Sequence, residues 1–350
     1  MDPPLSRTRR RLTADFGSDT IADTVGIQQR HYTKEEGMKT TARFAGVVCA
    51  ALFAAPVAAQ QQLTLMTGPQ GGVWVPLGGA LKSMWEKALP GVTITSIPGA
   101  GIANVRGVDE GKAQIGFGNS STTVDGIEGR PPYPKKTTKV CQLANLYPQY
   151  FQVIALADVK VNSFADLKGK SLVTQPKGNT AELLTNLVLK MHGMTYQSLS
   201  KINFQSYNDG VSLMKDGHAQ VFTLGTTIPA SSVMDLASAR DISVVPVDDK
   251  TMSELRKMNP GYQRLVVKAG TYPKQDRDVP MIGYSAHLVV SCDLPDNMVY
   301  TMTKTVAANV DAMAAINKPM ATMKPKDMAE DIGVPFHKGA LKFYKEAGAL

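Results

Sequence analysis

Leu63-Thr64-Leu65-Met66 is followed by Thr67-Gly68-Pro69-Gln70-Gly71-Gly72 and then by a helical pattern over about 76–87. A short apolar run broken by a glycine turn that feeds a helix reads as the opening of an α/β unit. The same order returns further on. Lys170-Ser171-Leu172-Val173 leads into Thr174-Gln175-Pro176-Lys177-Gly178-Asn179-Thr180, and a helix follows with Leu183, Leu184, Leu187, Val188 and Met191 at apolar spacing. Pro76 and Thr180 are the expected helix starters, because proline fits the first turn and threonine caps it.

Each unit continues alike. The first has a strand over 92–97, a glycine turn, a helix around 104–109, and then Glu110-Gly111-Lys112-Ala113-Gln114-Ile115-Gly116-Phe117. The second has a strand at 202–204, a helix around 209–215, and then Asp216-Gly217-His218-Ala219-Gln220-Val221-Phe222. Alternation of strand and helix predicts α/β layers around a mainly parallel sheet. Residues 149–156 read as a strand leaving the first lobe, and 281–290 as one returning. The segments 298–315 and 325–332 look helical and would complete the first lobe. The expected organisation is residues 60–150 plus 285–350 in lobe one and 151–284 in lobe two, with a ligand cleft between them.

The chain has 350 residues, 43% of them apolar and 19% charged, with a net charge of +8. That is too apolar for a disordered protein and too polar for a multi-span transporter. Residues 1–37 are polar and unpatterned, and read as a disordered leader or as upstream sequence outside the true protein. Residues 38–59 read as a signal peptide. Lys39 and Arg43 precede an apolar run over 44–57, and Val57-Ala58-Ala59 puts small residues before the expected cleavage at Ala59. The mature chain would carry 30 basic and 24 acidic residues over 291 positions, or +6, without a basic patch. No nucleic-acid partner is therefore expected. Cys141 and Cys292 are the cysteines left after cleavage, and a disulfide and two buried thiols both remain open.

Glycine turns after parallel strands face the crevice where α/β proteins bind ligands. Gly68, Gln70, Gly71 and Gly72 offer close backbone approach and free N–H groups before a helix, as do Lys177, Gly178, Asn179 and Thr180. Both loops suit a carboxylate or phosphate. Neither is a Walker loop or a dinucleotide fingerprint. Trp74 can wall off a ligand or belong to the core. Lys177 and Arg106 are the candidate cationic partners of an anion, and Asn119, Ser120 and Ser121 follow a strand and can hydrogen-bond a ligand. The histidines have no zinc-ligand spacing and no nucleophile elbow occurs, so no metal, cofactor or catalytic set is expected.

The run Thr67-Gly68-Pro69-Gln70-Gly71-Gly72-Val73-Trp74-Val75-Pro76-Leu77-Gly78 resembles the opening motif of the TAXI family, the solute receptors of TRAP-type transporters. The resemblance extends through residues 97–105, 111–120, 178–182, 269–276, 293–300 and 334–344. It implies a two-lobed periplasmic binding protein fold, type II-like, whose lobes are joined by hinge strands around a central cleft. It also implies a monomeric periplasmic receptor without enzymatic activity. The solute would be a small carboxylate (dicarboxylate, keto acid or glutamate-like amino acid), delivered to a sodium-coupled TRAP-type permease. On this resemblance Ala100, Gly101 and Asn104 join the ligand-binding set.

This chain departs from the family in having Trp74-Val75 where Tyr-Tyr is usual, Ala100-Gly101 in place of Gly-Ser, and Ser121 where an acid is typical. Loss of that acid argues for a solute without an ammonium group, unless Glu182 or a backbone carbonyl supplies the acceptor. The alternatives are a ligand-binding module of a sensory system, or an exported enzyme using Lys177 or Ser121.

Overall fold

Two sets of three parallel strands flank a pair of long strands that run antiparallel to their neighbours. The computed structural model describes residues 60–350, so the expected leader and signal peptide lie outside the described residues. The first set is β1 (Gln61–Met66), α1 (Trp74–Ala88), β2 (Val92–Ile97), α2 (Gly101–Asp109), β3 (Ile115–Asn119) and α3 (Ser120–Glu128). The long strand β4 (Val140–Leu156) leads to the second set. That set is β5 (Ser171–Thr174), α4 (Thr180–Met191), β6 (Lys201–Phe204), α5 (Tyr207–Lys215), β7 (Val221–Thr226) and α6 (Ser231–Ala239). Then come β8 (Ile242–Val244), α7 (Asp249–Met258), β9 (Gln263–Val267) and the second long strand β10 (Val279–Ser291). The chain ends in α8 (Asp296–Ala308), α9 (Val310–Ile316), α10 (Pro325–Met328) and α11 (Lys338–Glu346).

The sheet order is β2-β1-β3-β10-β4-β7-β5-β6, with β8 on β4 and β9 on β10. Parallel pairing holds within each set, β1 with β2 and β3, and β5 with β6 and β7. The two long strands pair antiparallel with each other and with β3, β7, β8 and β9. The sheet is therefore mixed, which corrects the expectation of a mainly parallel one.

The recurrent acidic-Gly-basic-Ala-Gln motif has a physical explanation in both sets. Gly111 (φ +73°) and Gly217 (φ +74°) end α2 and α5 in the left-handed conformation that glycine adopts without strain. Ala113 and Ala219 are fully buried. Gln114 then accepts from Thr64 N at 2.9 Å, and Gln220 accepts from Ser171 N at 3.0 Å. Each glutamine ties the third strand of its set to the first. Six residues thus close a helix, turn the chain and set a strand register, twice.

Four boundaries differ from expectation. Helix α1 begins at Trp74 rather than Pro76, and the proline sits in the first turn, where its missing N–H has no intrahelical role. Strand β4 starts at Val140, well before residue 149; Pro148, exposed in mid-strand, hides the continuity because proline usually ends a strand. The helical stretch expected at 298–315 breaks at Asn309 into α8 and α9, and α10 covers only Pro325–Met328.

One core joins β1, β3, the first part of β4, the last part of β10 and the C-terminal helices around Trp85 and Tyr344. Trp85 Nε1 donates to Met302 O, and Tyr344 OH donates to Leu143 O. Two further clusters pack the two faces of the second strand set. His337 caps α11 by accepting from Gly339 N, and its other ring nitrogen lies 3.0 Å from Leu294 O, so it belongs to the fold. Cys141 and Cys292 form a disulfide.

Candidate functional site

The C-terminal ends of the parallel strands in both sets come together over the middle of β4 and β10. Here a cavity of about 10 Å3 is lined by Gly68, Pro69, Gly72, Val73, Trp74, Asn119, Gln149, Asn179, Tyr207, Gly225 and Thr226. None of these side chains is charged. The lining draws on both loops quoted above, on the ends of β3 and β7, and on the start of α5.

Trp74, the first residue of α1, does two things. Its ring stacks on Phe117 in the core, with centroids 5.2 Å apart, and its edge lines the cavity. Its Nε1 lies 3.1 Å from the Gln149 amide oxygen in the orientation that also lets the Gln149 nitrogen donate to Gly225 O at 3.2 Å. Tyr207, the first residue of α5, walls the opposite side, and its hydroxyl donates to Gly225 O at 2.7 Å. Burial raises the Tyr207, Tyr147 and Tyr284 hydroxyls well above their ordinary range, so all three stay protonated donors. Among the described residues the hydroxyl of Tyr284 has no hydrogen-bond partner, and it lies against Gly225.

The two strand sets touch at the other side of the site. Asn119 Nδ2 donates to Thr180 Oγ1 at 2.8 Å, Thr122 Oγ1 lies 3.0 Å from the same oxygen, and Asn119 Oδ1 has no partner. The amides of Ile102 and Ala103 both donate to Gly178 O, and Tyr207 N donates to Gln70 O. A Cβ on Gly101 would sit 2.9 Å from both Asn119 Nδ2 and Thr180 Oγ1, so a larger residue there would push this hydrogen-bonded pair aside. A second tie lies at the turn after α7, where Asn259 donates to Ser121 O at 2.8 Å and to Asp125 Oδ1 at 2.9 Å. Burial raises the Asp125 carboxyl, and its bonds from Arg130 and Asn259 pull it back down.

Helix N-termini ring the site. Neither Val73 before α1 nor Asn119 before α3 makes a side-chain cap, whereas Asn179 caps α4 by accepting from Ala181 N and Gly178 O takes the first-turn amides of α2. Uncapped first-turn amides and the positive end of the helix dipole both favour an anion.

The expected site residues fall at several depths around the cavity. Gly68, Gly72, Trp74, Asn119 and Asn179 line the cavity, while Gly101 and Thr180 form the contact beside it. Gln70 contributes its carbonyl while its side chain is exposed, and Gly71 shapes the same turn against Asn208. Ala100 and Asn104 lie behind the site. Asn104 is fully buried, accepting from Ala100 N and donating to Thr67 O and Phe117 O, so its amide braces the loops behind the cavity. Ser120 Oγ accepts from Ser285 N, and Ser121 packs toward Gly261, both away from the cavity lining.

The two cations are also elsewhere. The left-handed Gly178 (φ +87°) turns the chain so that exposed Lys177 lies over the Phe204 ring, 5.3 Å from its centroid. Arg106 stands over Tyr133 and donates to Pro132 O. Gln149, Tyr207, Gly225 and Thr226 were not among the expected residues. The internal repeat carried the signal for one of them: aligning Gln114 with Gln220 puts Gly225 opposite Asn119.

A mixed sheet with helices on both faces and a cavity over two crossing strands defines the class, the two-lobed fold of periplasmic binding proteins. The chain belongs to the NMT1-like family, whose model matches residues 65–348. Among solved structures it is similar to that of a periplasmic transporter, with a TM-score of 0.51 and 11% identity over 84% of this chain and 94% of that one. It is also similar to the alkanesulfonate-binding protein of Xanthomonas axonopodis pv. citri bound to MOPS (TM-score 0.45, 14% identity, 82% and 84% covered). A Prochlorococcus marinus protein in complex with methylphosphonate is comparable (TM-score 0.46, 13% identity, 83% and 100% covered).

Proposed function

We propose that the chain is an exported solute receptor that closes over a small carboxylate and presents it to a TRAP-type membrane permease, as its resemblance to the TAXI receptors implies. The observation that carries this reading is the cavity itself: uncapped helix N-termini meet a lining without any charged side chain. Oriented amides and neutral hydroxyls stabilise a carboxylate there without a full counter-charge. A ligand ammonium would find no acidic partner in that lining, which supports a keto acid or dicarboxylate over an amino acid.

In this reading residues 60–150 plus 285–350 and 151–284 are the two lobes, and the mature protein works as a monomer in the periplasm after cleavage near Ala59. Solute bridging both lobes favours the closed arrangement by its differential affinity. No bond to the solute is made or broken, so the binding reading needs no nucleophile or cofactor.

Native mass spectrometry of residues 60–350 purified from the periplasm tests the proposal. The expected result is a small-molecule adduct, lost on unfolding, whose mass fits a carboxylic acid. An adduct that is an amine-bearing solute would overturn the preference against ammonium. Absence of binding across a thermal-shift panel of carboxylates would overturn the receptor reading.

A further inference from the structure

The cavity at the hinge is too small for a whole solute. At about 10 Å3 it holds one water-sized group. It does not stand alone. A groove of about 450 Å3 opens beside it and shares Gly72, Val73, Tyr207 and Thr226 with its lining. That volume falls in the range of small-molecule sites, roughly 300–1,000 Å3.

The groove has three walls: the first turn of α1, the segment between β7 and α6, and the end of α9 with the turn that follows. Its surface is mostly apolar, with Val75, Pro229, Ala230, Ile316 and Pro319 among the lining residues. Val75 and Ile316 rank among the large hydrophobic side chains left exposed, at 37% and 36%. Two buried polar side chains lie in the wall behind this surface. Asn317 is 98% buried, and both ends of its amide lack a hydrogen-bond partner. Thr227, also buried, has an unpartnered Oγ1. A buried amide with both ends unpaired is costly and calls for a partner that the described residues do not supply.

Resting on the receptor reading above, we propose that the solute is an amphipathic acid. One oxygen of its carboxylate enters the hinge cavity beside the N-termini of α1 and α3. An apolar body of several carbons runs past Tyr207 and Thr226 into the groove. A hydroxyl or carbonyl on that body pairs with Asn317 or Thr227. Short dicarboxylates would leave the groove wet and the Asn317 amide unpaired, so they are the poorer ligands.

Isothermal titration of residues 60–350 with propionate, butyrate, hexanoate, octanoate and 5-oxohexanoate tests this. Affinity is expected to rise about four-fold per added methylene until the groove is full. The oxo acid is expected to bind roughly ten-fold tighter than hexanoate. Ala315→Trp, at an exposed position on the groove, should flatten the chain-length dependence while leaving propionate binding unchanged. Asn317→Leu should erase the preference for the oxo acid while keeping the dependence on length. Acids that bind with affinity flat or falling as the chain grows would overturn this inference and leave the receptor reading standing. Failure of every acid to bind, with succinate and 2-oxoglutarate failing too, would overturn both. Should Asn317→Leu not fold, the wild-type series and Ala315→Trp still decide the matter.

Discussion

The two strand sets share one backbone plan and use it to opposite ends. In the first, α1 opens with Trp74 and α2 with Gly101; in the second, α4 opens with Thr180 and α5 with Tyr207. Bulk and its absence are exchanged between matched positions. Where the two small residues meet, the sets touch through Asn119. Where the two aromatic residues face the site, they hold a cavity. The difference teaches that the repeat supplies the frame, and four helix-opening residues decide which side of it is contact and which is binding site.

The largest way to break this comparison is to remove one ring. Trp74→Ala is expected to cost about 3–5 kcal/mol in urea unfolding, since it takes a buried aromatic off Phe117. The matched change Thr180→Ala should cost only about 1 kcal/mol, the worth of a side-chain hydrogen bond. Equal costs would mean that the two positions are not specialised. Next comes Gly101→Val, which places a branched side chain where even a Cβ is crowded. It should destabilise the closed contact by about 1–3 kcal/mol and increase the radius of gyration measured by small-angle X-ray scattering.

A pH titration sharpens the comparison where β10 packs against the first set. His287 on β10 is fully buried beside Thr123, and burial pushes its pKa down from 6.5 to about 3. Between those values the unfolded chain binds a proton that the fold does not. Stability should therefore be complete above pH 6.5 and fall by about 1.4 kcal/mol per pH unit as the pH drops toward 3. His287→Gln should remove that part of the slope, as followed by unfolding at stepped pH.

A smaller test asks whether the repeat is energetic as well as geometric. Gln114→Ala and Gln220→Ala each leave one strand amide without its acceptor. Each should cost about 1–2 kcal/mol, and the two losses should agree within about 0.5 kcal/mol. Lys177→Gln is the smallest. Its ammonium lies on Phe204 rather than at the cavity, so solute affinity should change less than about two-fold, the weak effect of an exposed charge.

Much of this frame is legible in the sequence because glycine and apolar period are local signals. The loops at 68–72 and 177–180 declare themselves by the turns they need, and the repeated Gly-Ala-Gln run marks the same corner twice. What stays hidden depends on distant parts of the chain. Gln149 joins the site only because β4 crosses over it, and Pro148 masks that strand. Lys177 looks like an anion partner until the left-handed Gly178 turns it outward. Asn104 looks free until three backbone groups claim its amide. Side-chain direction and partner supply are tertiary facts, and a string of residue types does not carry them.

The Cys141–Cys292 disulfide joins the start of β4 to the end of β10, across 151 positions, with Cα atoms 5.1 Å apart. Everything from the first crossing strand through the second set to the return strand is therefore a closed ring mounted on the rest of the molecule. Such a ring has its exit and entry side by side. Second-set elements inside it could be exchanged only with β4 and β10 kept in place, because β10 pairs with β3 and both strands carry part of the first core. Closing a ring of this size removes about 5 kcal/mol of freedom from the unfolded chain, and that gain does not depend on which side chains the inserted piece carries. The second set is thus tied to the first covalently as well as through the sheet.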